Sequence, residues 1–186
     1  MTDLNISQKQ IDNLINDAEY LLDEAEALKY VIDSVPFDET PTDGMSIVNM
    51  LRLINHAQTD YYRPIIEQVF SENRIVRLGD YENFSDTFEV PEEDEANVQK
   101  VLSRIIKHRA ALLTVLNKIP LIDWERSLKN ENGQEITLFE FAQTMIKKER
   151  AILKKIADLV LIYQNERAHQ REIDKKASER QNLGQQ

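Results

Sequence analysis

The run from residue 137 to 163, TLFEFAQTMIKKERAILKKIADLVLIY, constrains the fold more than any other stretch of the chain. Leu138, Phe141, Met145, Ile152, Ile156, Leu159 and Tyr163 recur at helical spacing, which predicts a helix with one apolar face that other helices must cover. Thr137 and Glu140 form a capping box at its start, where hydroxyl and carboxylate satisfy amides left unpaired by the first turn. Lys148 and Glu149 fall about 40° and 60° either side of Ile152 on the helical wheel, inside the apolar sector. Charged groups in that sector make this helix the first place to look for chemistry.

Three further stripes supply the cover. Ile11, Leu14, Ala18, Leu22, Ala25, Leu28 and Ile32 mark a helix from Ser7 to about Val35, with Ser7 and Gln10 as a second capping box and Pro36 as its stop. Ile47, Leu51, Ile54, Gln58, Tyr61, Ile65 and Val69 mark another over about 46–70. Pro64 lies inside it and predicts a kink or break near Asp60, because proline has no amide to donate and its ring crowds the carbonyl four residues back. His56 falls about 160° from Ile54 and is expected to face solvent; one helical turn from Asp60, it forms with that residue an alternative pair of metal ligands. The third stripe, over about 95–119, is Val98, Val101, Ile105, His108, Leu112, Val115 and Ile119. Its histidine reads either as a satisfied core residue or as part of a site. Between the second and third helices, residues 71–94 lack a helical period and form a long connection pinned to the core by Phe84 and Phe88. After Pro120, Leu121 and Trp124 are expected to cap the open end of the bundle or to line the mouth of a cleft.

Four glycines, five prolines and 41% hydrophobic residues suit an all-α chain better than a β-sandwich, which needs turn residues every ten or so positions. The stripes and their connectors give a four-helix bundle over residues 1–165 with a long connection between helices two and three. Residues 166–186 are read as a polar helical extension or disordered tail, with His169 solvated. The chain has no cysteine, so disulfides, thiolate metal sites and cysteine nucleophiles are excluded. No secretion signal or membrane-length apolar run is present, and a cytoplasmic location is expected. The net charge of −10 divides unevenly: residues 1–95 carry 22 acids and 6 bases, the rest 11 acids and 17 bases. Acidic and basic helices facing each other in one bundle account for this. A nucleic-acid partner is not expected, since 33 acids repel phosphates and no stacking aromatics interleave the bases.

Three blocks carry a resemblance to a known family: SVPFDETPTDGMSIVNMLRLINHAQTDY, HRAALLTVLNKIP and GQEITLFEFAQTMIKKERAILKKI. In order and spacing they resemble the DinB-like superfamily of bundle proteins, also called YfiT-like metalloenzymes, over roughly residues 20–163. The resemblance implies a divalent metal such as zinc or nickel, held by one histidine on the second helix and two on the fourth, and metal-dependent hydrolysis or transfer of low-molecular-weight thiols. It also implies a homodimer, as in some members. Placed residue by residue, the ligand positions fall on Leu53, Lys148 and Ile152. Leucine and isoleucine cannot coordinate, and an ammonium has no lone pair to give.

The expectation is therefore a degenerate metal site in a binding or scaffold bundle without cofactor, its partner a small molecule or a protein. The candidate pocket is Lys148, Glu149, His108, Leu53 and Ile152, with the Lys148 ammonium either snorkelling at the bundle edge or standing in the metal's place. The alternative is an enzyme, a metal-dependent hydrolase or thiol transferase whose ligands are rearranged onto His56, Asp60, His108 and Glu149.

Overall fold

Each of the four stripes becomes a helix in the computed structural model, which describes residues 6–72, 74–90 and 97–183, with side chains of the last helix through residue 179. Helix α1 spans Gln8–Val31 and opens on the expected capping box: the Ser7 hydroxyl accepts from the Gln10 amide while the Gln10 side chain accepts from the Ser7 amide at 2.9 Å. A 3-10 turn, Ile32–Ser34, ends it before Pro36. Helix α2, Ile47–His56, is capped by the buried Ser46.

Where a kink or break was expected near Asp60, the helix stays continuous through a widened turn. Residues Ala57–Tyr62 form a π-helical segment in which the Arg63 amide reaches back five residues to the Gln58 carbonyl. Helix α3, Arg63–Ser71, then starts with Pro64 in its first turn, where a missing amide costs nothing. The π segment and α3 thus restart the helical register around the proline, and the extra width turns both Tyr61 and Tyr62 inward.

The long connection folds back over the bundle through strand β1, Val76–Arg77, and a one-turn helix α4, Phe84–Thr87. Phe84 is buried and Phe88 half-buried. Helix α5 spans Val98–Leu116 with Asn97 as its cap; the start expected at Glu95 lies outside the described residues. Helix α6 runs from Leu138 to Leu183, roughly 69 Å at 1.5 Å per residue, so it continues well past Tyr163 as an exposed polar rod on which His169 is solvated. Residues 184–186 of the expected tail lie outside the described residues.

A small sheet accompanies the helices, which the all-α reading did not include. Strand β2, Ser127–Lys129, pairs parallel with β1 and antiparallel with β3, Glu135–Thr137, so that Leu128 opposes Val76 on one side and Ile136 on the other. Strands of two and three residues are too short to show a period of two. The β2–β3 turn needs Gly133, whose φ of 76° is costly for any residue with a Cβ, and the Asn130 carboxamide accepts from the Asn132 and Gln134 amides. Leu128 of this sheet and Trp124 just before it are fully buried, with Trp124 set edge-on to Phe139. Trp124 therefore closes the bundle end and lines no cleft mouth. Arg126 ties the same end to α3, its Nη1 donating to the Val69, Phe70 and Glu72 carbonyls that the helix terminus leaves open.

Two apolar clusters fill the bundle. One gathers Tyr61, Tyr62, Phe84, Leu112, Leu116, Trp124, Phe141 and Met145; the other gathers Ile32, Ile47, Ile54, Leu102, Ile105, Leu153 and Ile156. Among the described residues no helix is long and apolar enough to cross a membrane. The box at the head of α6 forms as expected, the Thr137 amide donating to Glu140 Oε2 at 2.7 Å and the Glu140 amide to Thr137 Oγ1 at 3.2 Å. Thr137→Ala should cost about 1 kcal/mol, read in urea as a lower midpoint at unchanged slope; an unchanged midpoint would show that the sheet, not the cap, sets the start of α6.

Candidate functional site

Between the two apolar clusters lies a charged layer. Helix α5 passes from Ile105 in one cluster to Leu112 in the other across Arg109, and α6 passes from Met145 to Leu153 across Glu149. Arg109 is 0% exposed and Glu149 4%, and Arg109 Nη2 donates to Glu149 Oε1. Gln58 and Tyr62 enter from the π segment, both 1% exposed. Gln58 follows Ile54 of one cluster and precedes Tyr61 of the other, which sets it at the boundary that the ion pair occupies. Burial pushes the Glu149 carboxyl up from its ordinary value, with Arg109 pulling the other way. Burial and then the nearby Glu149 charge push the Tyr62 hydroxyl up, so it stays protonated throughout the working range of pH.

The remaining candidates sit around this layer in separate contacts. Leu53 is buried and Ile152 half-buried, the latter packed against both clusters. Lys148 does not point inward: it is exposed, with Nζ 5.6 Å from the centre of the Phe84 ring, a cation–π contact at the bundle edge. The cation inside the bundle is Arg109, which the sequence reading missed. His108 is half-buried and lies off the core face; its Nδ1 meets the Asn55 carboxamide oxygen at 2.7 Å. Because that oxygen only accepts, Nδ1 carries the proton. Burial, then the Lys107, Arg63 and Arg104 charges, lower the His108 pKa.

His56 also departs from expectation. Instead of facing solvent it is half-buried, because the long connection folds back over α2: Nδ1 lies 2.8 Å from Asp60 Oδ2, Nε2 lies 2.9 Å from Thr87 Oγ1, and the Phe88 ring packs beside it. Asp60 can only accept, so Nδ1 donates to it, while Nε2 and the Thr87 hydroxyl share the second bond. The two bonds fasten α4 to the end of α2.

One solved structure shares the fold that carries these residues. YfiT from Bacillus subtilis, described as a probable metal-dependent hydrolase with an unusual four-helix bundle topology, matches with a TM-score of 0.68 over 86% of this chain and 90% of its own, at 16% identity. The fold is that of YfiT. No family model matches the sequence, and no curated protein matches it. The likeness to YfiT raises the question of a metal, which the residues present do not fit. Among the described residues no three of His, Asp or Glu come together. His56 and Asp60 make one pair, His108 meets Asn55 and Glu149 meets Arg109, so the four rearranged ligands do not converge. Leu53, Lys148 and Ile152, the positions implied by the resemblance, offer two hydrocarbons and an ammonium.

Removing one member of the buried pair strands the other. Arg109→Met should cost about 3–5 kcal/mol in chemical denaturation, and Arg109→Met with Glu149→Leu should recover most of it; equal losses in both would mean that packing, not charge, governs the layer. His108 should titrate below its ordinary 6.5 in an NMR pH series. The sign follows: a depressed folded-state value adds stability above the unfolded pKa and loses it as pH falls through the folded one. A titration at or above 6.5 would contradict the environment described.

Proposed function

We propose that this chain is a binding bundle that keeps the YfiT-type frame and works without a resident metal. The observation that carries the reading is the buried Arg109–Glu149 pair, placed between the two apolar clusters beside Ile152. Glu149 is the one carboxylate in the bundle interior among the described residues, and a guanidinium already occupies it. A divalent ion would have to displace that cation and would then find hydrocarbon at Leu53 and Ile152. The partner is a small molecule or a protein held on the frame rather than a substrate activated at a metal. The other reading, a hydrolase or thiol transferase built on rearranged ligands, would need His56, Asp60, His108 and Glu149 in one place, and no observation favours it.

Elemental analysis of tag-free protein after gel filtration without chelator tests the proposal. The expected result is well under one divalent ion per chain, with none gained on incubation with zinc or nickel. Stoichiometric metal would overturn it. The converse experiment restores ligands: a variant with Leu53→His, Lys148→His and Ile152→His together should acquire zinc that the natural chain does not hold.

A further inference from the structure

Between α1 and α6 lies a cavity of about 370 Å3 open to solvent. This is within the size range of small-molecule sites. Its floor is apolar: Leu14, Phe139 and Ile146, each buried against the core. Gln10, Asn13 and Asp17 rise from α1 on one wall, and Gln143, Lys147 and Arg150 from α6 on the other, each set at helical spacing. Apart from Gln10 of the capping box, each set looks like an ordinary solvated helix face until the two are placed together.

The charge on the walls is unlike that of the chain. Two cations face one carboxylate, on a protein of net charge −10. Asp17 is engaged, accepting from Arg150 Nη2 at 2.6 Å, and Arg150 also lies over the Tyr20 ring. Lys147 is exposed and has no ion-pair partner among the described residues. The Gln10 carbonyl oxygen accepts from both the Ser7 amide and the Ser7 hydroxyl in the α1 cap, which leaves its NH2 as the free end. Among the described residues the rim therefore offers one free ammonium, Lys147, and the carboxamide NH2 groups of Gln10, Asn13 and Gln143 over an apolar floor. That combination complements an anion with a hydrocarbon body: the body covers the floor, and the charge meets Lys147 and the amide donors without stripping Asp17 from Arg150.

We propose that this groove binds a small carboxylate with an apolar body, its charge at Lys147 and the neighbouring side-chain amides and its body on Leu14, Phe139 and Ile146. The inference gives the binding reading above a site and a ligand class, and rests on that reading for the ligand's role.

The test is titration of the full 15N-labelled chain with benzoate, benzamide and acetate at matched ionic strength, followed by amide chemical shifts. Benzoate should give saturable shifts confined to the groove, including the side-chain amides of Gln10, Asn13 and Gln143. Benzamide, with the body and no charge, and acetate, with the charge and little body, should each bind at least about tenfold more weakly. Lys147→Met should weaken benzoate by about tenfold, while Lys154→Met, exposed further along the same helix, should leave it unchanged. The proposal fails if benzoate produces no saturable shift in the groove, if benzamide matches it, or if the two lysine variants weaken it equally. Such a failure with metal content still near zero removes the groove and leaves the binding reading; metal found with benzoate bound does the reverse.

Discussion

The interior of this bundle is fitted around one ion pair. An arginine and a glutamate deep in the protein lose nearly all contact with water, and their attraction in that setting does little better than offset the loss. What such a pair enforces is adjacency. Any arrangement of α5 against α6 that separated Arg109 from Glu149 would leave two buried charges unmatched, which is far more costly than a slipped contact between leucines. The apolar residues above and below supply the driving force for packing; the pair selects which packing is reached.

The parts around it answer to the same constraint. The π segment lets α2 and α3 run as one rod despite Pro64 and brings Gln58 and Tyr62 to the boundary between the clusters. Aromatic rings close over Tyr62, with Phe84 from α4 and Phe141 from α6 within 5.5 and 5.7 Å of its centre. The bonds from His56 to Asp60 and Thr87 then hold α4 where Phe84 can reach the cluster and support Lys148 at the rim. Residues that the sequence offered as metal ligands serve here as fastenings. The fold around them is shared with a protein described as a probable metal-dependent hydrolase.

Much of the frame was legible because helix periodicity is a repeated signal. Stripes in α1, α2 and α6, both capping boxes and the disturbance before Pro64 all follow from residues a few positions apart. The site was less legible, for one physical reason: it depends on a rotation of about one residue. The buried face of α5 runs Ile105, Arg109, Leu112, Leu116, whereas the expected stripe ran Ile105, His108, Leu112, Val115. Both sets fit a helical period, and an arginine is ordinarily found outside. Only knowledge of Glu149 on the facing helix reverses that rule. Lys148 and Glu149 posed the same question one residue apart on α6, and the edge of the apolar sector could not say which of them went in. The sheet left no trace because strands of two and three residues are too short to repeat a period of two.

The length of α6 has a consequence for how this molecule is measured. Beyond Arg167, which donates to the Ser34 carbonyl, its described side chains are exposed. That stretch is helical without a core, so it frays at a free energy well below that of the bundle. Trp124, the chain's single tryptophan, is sealed at the opposite end of the packed region. Far-ultraviolet ellipticity and tryptophan emission therefore sample different events on heating: the first declines gradually as the rod unwinds, the second holds until the interior opens.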